Sequence, residues 1–368
     1  MSPADFICKS PLLASCGFDR RTVEAEQALW ESLGSQVLRN LNLPVAEGLT
    51  DAQKRRVFQY YLPVFFWCRQ QLLQHKSASS QGNAAAAAVP PLAAGAAADT
   101  NIGTEQSTTG PLILGISAPQ GCGKTTLCEE LKALFECCGY RAASISIDDF
   151  YLTHADQASV AAAHPDNPLL QQRGNAGSHD VQLGTSTLQA LRQATTAGTR
   201  VPLPRYDKSA FEGQGDRADP STWPHVEGPV DVVLFEGWML GFAAVGAQAA
   251  AGVDPSLAAV DGFLERIGGS YREAWDSFVD AWLVVRVEDP QYAYKWRLQA
   301  EHAMRASGKP AMTDAQVQRF VDRFMPAYRC YLPGLYSQGP TTARPGHLLV
   351  VEVDGSRDPT GQQPDPLM

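Results

Sequence analysis

The run Pro111-Leu112-Ile113-Leu114-Gly115-Ile116-Ser117-Ala118-Pro119-Gln120-Gly121-Cys122-Gly123-Lys124-Thr125-Thr126-Leu127 decides the fold. Its first residues make an apolar stretch short enough for a buried strand, and Leu127, Leu131, Leu134 and Phe135 recur at helical spacing. Strand, Gly-rich turn and helix in that order are the setting in which a phosphate-binding loop works. Gly121 and Gly123 let backbone N–H groups turn inward around phosphate oxygens without a Cβ in the way. Lys124 reaches β- and γ-phosphates, Thr125 offers a hydroxyl to Mg²⁺, and the helix start adds a favourable dipole. Pro119, Gln120, Gly121, Cys122, Gly123, Lys124, Thr125 and Thr126 are therefore the expected nucleotide-binding residues, with a nucleoside triphosphate as the ligand. Ala118 stands where the general pattern G-x-x-x-x-G-K-S/T begins with glycine.

Composition narrows the class. With 368 residues, 44% of them hydrophobic, the chain can bury a sizeable core. A formal net charge of -9 without a basic block argues against nucleic acid as a partner. No apolar run approaches the roughly 18–20 residues of a membrane span. The eight cysteines are scattered without a C-x-x-C pair, as free thiols in a reducing compartment would be. The adjacent Cys137-Cys138 closes a helix and reads as packing. Residues 1–15 lack an Arg/Ser-rich amphipathic pattern and a signal-peptide core, so a targeting peptide was either removed or never present.

The pattern divides the chain into four parts. Residues 16–75 read as a helical extension packed on the core, with Pro63 expected to kink or interrupt its second helix. Residues 76–110, rich in Ala, Ser, Gly and Pro, read as a disordered linker. Residues 111–355 form the main domain, and 356–368 a flexible tail. Apolar runs at 112–117, 141–147, 230–235, 281–287 and 347–353 alternate with helical patterns. This predicts an α/β fold, a parallel sheet of about five strands covered on both faces.

Ligands of such sheets sit beyond the carboxyl ends of the strands, so the residues following each strand matter. Asp148 and Asp149 follow the second run, and Glu236 follows the third. A carboxylate there can take a hydroxyl proton or hold Mg²⁺, although Asp148 could equally cap a turn. The polar stretch 173–180 precedes a helix that Asp180 can cap, and 202–217 carries Arg205, Lys208 and Arg217, cationic donors suited to a small carboxylate. A basic helix with Lys295, Arg297 and Arg305 reads as a lid that brings positive charge to a transferring phosphoryl group, or as a solvated face.

The segments GISAPQGCGKTTL (115–127), SIDDFYLT (146–153), RGNAGSHD (173–180), LPRYDKSAFEGQGDR (203–217), FEGWMLGF (235–242), WRLQAEHAMRASGKPAM (296–312) and PAYRCYLPGLY (326–336) occur in one order. Together they resemble the D-glycerate 3-kinases of plants, algae, fungi and cyanobacteria, a branch of the phosphoribulokinase/uridine kinase group of P-loop kinases. That branch itself carries alanine at the position of Ala118. The resemblance implies transfer of the γ-phosphoryl group of ATP to the 3-hydroxyl of D-glycerate, with Mg²⁺ as cofactor. It implies Asp148 as base alongside Lys124, with Arg297 and Arg305 on the lid segment. Thr125, Asp149 and Glu236 would serve the metal, and Arg173, His179, Arg205, Tyr206 and Lys208 the substrate. Uridine, pantothenate or ribulose 5-phosphate as acceptor, or a nucleotide-gated interaction module, remain the alternatives. A monomer is expected, in the chloroplast with a photorespiratory role, or alternatively in the cytoplasm.

Overall fold

The computed structural model describes residues 3–44, 48–86, 110–266 and 270–361. Its strands are β1 (Leu112–Ser117), β2 (Ala142–Ser146), β3 (Arg200–Pro202), β4 (Tyr206–Asp207), β5 (Asp216–Arg217), β6 (His225–Glu227), β7 (Val232–Gly237), β8 (Ala281–Val287) and β9 (Leu348–Val353). Five form one all-parallel sheet in the order β2-β7-β1-β8-β9. β3 pairs with β6 and β4 with β5 as small antiparallel ribbons outside it. The five are the apolar runs of the sequence, and β1 and β7 are buried along their whole length because helices cover both faces.

Alternation divides each strand between two cores. Leu112, Leu114 and Ile116 of β1 meet the phosphate-loop helix Lys124–Cys137 and the N-terminal helices. Ile113 of β1, Val233 and Phe235 of β7, and Trp282 of β8 meet the helices on the opposite face, among them Val181–Arg192 and Met325–Gln338. The chain leaves β1 on the first face and β7 on the second, which opens a crevice at their carboxyl ends.

The N-terminal helices are an integral part of the first core. Trp30 stacks on Phe66 with ring centroids 3.7 Å apart, and Phe65 packs on Phe135 of the phosphate-loop helix at 5.1 Å. The packed region starts before residue 16, since Ala4, Ile7, Leu12 and Leu13 are buried in the same cluster. Pro63 does not interrupt its helix, which runs from a π-helical stretch (Arg55–Tyr61) straight into Leu62–Ala86. The carbonyl one turn back, on Gln59, accepts the Ser10 hydroxyl at 2.6 Å, so the N–H that Pro63 lacks leaves no orphan acceptor there.

Two expected boundaries move. The helix Leu62–Ala86 runs on past Lys76, into the segment read as linker. Alanines added to a helix already formed avoid the nucleation cost that an isolated run of that length would meet. The rest of the expected linker, 87–109, lies outside the described residues. The expected tail is ordered at its start: Thr360 donates to the Glu352 carbonyl at 3.0 Å, and Asp358 is buried. Removing Trp30, fully buried in its stack, should cost about 3–5 kcal/mol as Trp30→Ala, read as a lowered denaturation midpoint.

Candidate active site

Strand register gathers the site. Ile116 of β1 and Ser146 of β2 both lie opposite Glu236 of β7, so three strands end at one level. Beyond that level the phosphate loop, the turn Ile147–Phe150 and Glu236 converge. Gly121 (φ 81°) and Gly123 (φ 94°) take left-handed backbone, and a Cβ on Gly121 would lie 2.8 Å from that of Trp296. The Gln120 N–H donates to the buried Tyr328 hydroxyl at 3.0 Å, gripping the loop from outside. Lys124 Nζ pairs with Glu236 Oε2. Burial would pull the ammonium down, but Glu236 and Asp148 outweigh it and hold it well above its ordinary value. Burial pushes the Cys122 thiol up to about 11, so it stays protonated within the loop.

The two aspartates after β2 are separated by local geometry. The Ser146 hydroxyl accepts the Asp148 N–H at 3.2 Å, and Asp149 Oδ2 accepts the Ser146 N–H at 3.2 Å. This reciprocal cap occupies Asp149 and leaves the Asp148 carboxylate to meet Lys208 Nζ at 2.5 Å. Burial would raise Asp148, yet Lys208 and Lys124 hold it below the usual carboxylate range, ionised at neutral pH. Asp149 goes the other way. Burial, reinforced by Asp148 and Glu236 and only partly opposed by Arg205, pushes it up to about 6.

Thr125, Asp149 and Glu236 line one cavity of about 910 Å³ that runs past Arg205 along β2. A hydroxyl and two carboxylates are hard oxygen donors of the kind Mg²⁺ takes, the ion keeping waters and phosphate oxygens for its other positions. The repulsion among Asp148, Asp149 and Glu236 is what a divalent cation relieves, so these residues fit the metal. Among the described residues no group of three or more His, Cys, Asp or Glu side chains is placed to hold a metal ion by itself.

The residues expected to hold substrate divide by role. Arg205 Nη1 lies 3.3 Å from Asp149 Oδ2, and Lys208 is the exposed arm on Asp148. Arg173 is spent on the β4–β5 hairpin, donating to the carbonyls of Gly213, Gln214 and Lys208 and lying over the Tyr206 ring. Tyr206 in turn meets Tyr151 edge-on at 5.3 Å. Arg217 anchors this hairpin to Asp180 at 2.8 Å, while Asp180 also caps the next helix through the Leu183 N–H. His179 is buried against Tyr151, and burial pushes its ring down to about 3, so it is neutral. The Tyr271 hydroxyl accepts the Gly177 N–H at 2.9 Å and lies 3.0 Å from His179 Nδ1. His179 Nε2 is buried and has no hydrogen-bond partner among the described residues.

The two lid arginines are not brought to the loop. Arg297 pairs with the buried Glu301 at 2.5 Å and lies over Phe320, and Arg305 pairs with Asp314. Their helix faces the loop through Trp296 instead. Sequence reasoning missed Trp296, Tyr328 and Arg357 as neighbours of the loop. The carboxyl-edge rule pointed at the stretch after β9, where Arg357 sits, but its polar composition reads as a tail.

No family model matches the chain. It is 45% identical over 355 residues to the chloroplastic D-glycerate 3-kinase of Arabidopsis thaliana, a match covering 96% of this chain and 72% of that one. It is 37% identical over 259 residues to an uncharacterized kinase of Schizosaccharomyces pombe, covering 68% and 90%. Among solved structures it superposes on a D-glycerate 3-kinase from Cryptococcus neoformans with a TM-score of 0.65 and 31% identity, covering 81% of this chain and 97% of that one.

Two outcomes test the site. Lys124→Ala should abolish measurable nucleotide turnover while the circular-dichroism spectrum stays native, because the phosphates lose their side-chain cation. Turnover should also fall as pH drops through about 6, since Asp149 then gains a proton and the site loses one of its negative charges. In Asp149→Asn that acid limb should vanish from the pH profile, at a reduced plateau.

Proposed function

The chain belongs to the D-glycerate 3-kinase family, and from that premise we propose how its residues transfer the γ-phosphoryl group of ATP to the 3-hydroxyl of D-glycerate. The phosphate loop and Lys124 hold the triphosphate at the carboxyl edge of the sheet. Thr125, Asp149 and Glu236 would hold Mg²⁺, which would supply charge neutralisation there when bound. The observation that carries the mechanism is Asp148, ionised and held between Lys124 of the loop and Lys208 of the β4–β5 hairpin.

Asp148 accepts the proton of the 3-hydroxyl as that oxygen attacks the γ-phosphorus, the usual work of a general base. Lys208 is more than half exposed at its side chain, so its flexible stem can exchange the Asp148 carboxylate for that of glycerate. The transfer frees Asp148 of the cation that weakens it as a base and couples substrate binding to base activation. Arg205 adds a second cation on the same side, and His179 stays a neutral, buried ring behind Tyr151. Arg173 and Tyr206 shape the hairpin that presents these groups. The reading extends to a monomer in the chloroplast serving photorespiratory carbon recovery. Exclusively cytosolic fluorescence of a full-length fusion would remove that part.

Asp148→Asn keeps the shape and removes the proton acceptor, so turnover should fall by roughly 10²–10⁴ with ATP affinity little changed. Lys208→Ala should raise the Michaelis constant for glycerate more than that for ATP. An acceptor panel with ATP and Mg²⁺ should show glycerate preferred over uridine, pantothenate and ribulose 5-phosphate. Preference for any of the other three would overturn the substrate assignment.

A further inference from the structure

We infer that Arg357 is a positioning residue for the phosphate loop, and that the turn carrying it makes the N-terminal helices part of the nucleotide site. The inference rests on ATP binding at that loop. The turn follows β9 and closes on itself. Asp354 Oδ1 accepts the N–H groups of Ser356 (2.7 Å) and Asp358 (3.0 Å), and the Asp354 N–H donates to the Asp358 carbonyl at 3.0 Å. Arg357 sits in the turn with a left-handed backbone, φ 66°, a conformation uncommon for a residue with a side chain. Such outliers persist where the surroundings hold them.

Two walls hold this one. Arg55 of the π-helical stretch meets Asp358 Oδ2 at 2.8 Å through both Nε and Nη2, and Arg56 Nη2 donates to the Ser356 carbonyl at 3.2 Å. On the other side the Trp296 indole N–H donates to the Gly355 carbonyl at 3.0 Å. From between them the Arg357 side chain reaches back over the loop. Its Nε donates to the Gly121 carbonyl at 2.7 Å, its Nη1 to Gln299 Oε1 at 3.2 Å, and its guanidinium lies over the Trp296 ring at 5.1 Å.

The Gly121 carbonyl belongs to the same planar trans peptide as the Cys122 N–H, so the two point in opposite directions. A charge-assisted donor that holds the carbonyl outward therefore holds the Cys122 N–H inward, toward the phosphates. The Gln120 N–H, in contrast, is already taken by Tyr328 on the outside. Arg357 thus sets the orientation of an amide at the heart of the loop, and the Arg55–Asp358 pair sets Arg357.

The test uses the full chain. Arg357→Gly removes the side chain while suiting the left-handed turn, so the melting temperature should hold or rise. Its Michaelis constant for ATP should nevertheless rise about tenfold, the lower range for losing a charge-assisted hydrogen bond. The constant for glycerate and the turnover at saturating ATP should stay within about twofold, consistent with an effect on binding alone. Arg357→Lys should not restore ATP affinity, because an ammonium cannot grip Gly121 and Gln299 together. Arg55→Ala should raise the ATP constant in the same direction, and the double variant Arg55→Ala/Arg357→Gly should show less than the sum of the two. If wild-type protein binds ATP and Arg357→Gly binds it equally well, the relay is wrong. If wild-type protein does not bind ATP at all, the proposed function falls with it.

Discussion

The parallel register of β1, β2 and β7 is the constraint on which the rest of the structure depends. Because Ile116 and Ser146 share Glu236 as their partner residue, the segments leaving β1, β2 and β7 emerge at nearly the same height. A slip of one residue in any of these strands would turn its side chains to the opposite face. It would also carry Asp148 or Glu236 away from Lys124. The two apolar cores prevent that slip, since each strand has residues of fixed identity committed to both faces.

Charge is matched at the edge so created. Lys124 answers Glu236, Lys208 answers Asp148, and Arg205 answers Asp149. Burial raises both aspartates, and their charged neighbours are what differentiate them. Asp148 has two ammonium groups acting on it and stays ionised, whereas Asp149 has one weaker partner, two like-charged neighbours and a raised pKa. One pair of adjacent aspartates therefore presents an ionised carboxylate and a readily protonated one from the same turn, with the Ser146 cap holding Asp149.

The phosphate loop is held from outside as much as from its own helix. Tyr328, Trp296 and Arg357 approach it from separate segments, and the N-terminal helices brace the last of these through Arg55 and Arg56. This explains why a kinase core carries an aromatic-rich helical layer on one face. The layer buries the phosphate-loop helix through Phe65 and Phe135 and also fixes the turn above the loop.

The sequence by itself determined the elements and the chemistry that depends on neighbours along the chain. Strand, loop and helix at 112–137, the five apolar runs, the acids that end two of them, and the cap at Asp180 follow from local pattern and period. What only the tertiary structure decided is who meets whom across the fold. Arg173 has the composition of a ligand-binding cation, but the carbonyls that occupy it, on a loop 35 to 41 positions away, are placed by packing. The ordered turn after β9 was illegible for the same reason. Its polar residues bury nothing on their own, and their partners lie 303, 300 and 236 positions away at Arg55, Arg56 and Gly121. Periodicity reports which face of an element is apolar, whereas contacts over such distances exist only once two cores have closed around the sheet.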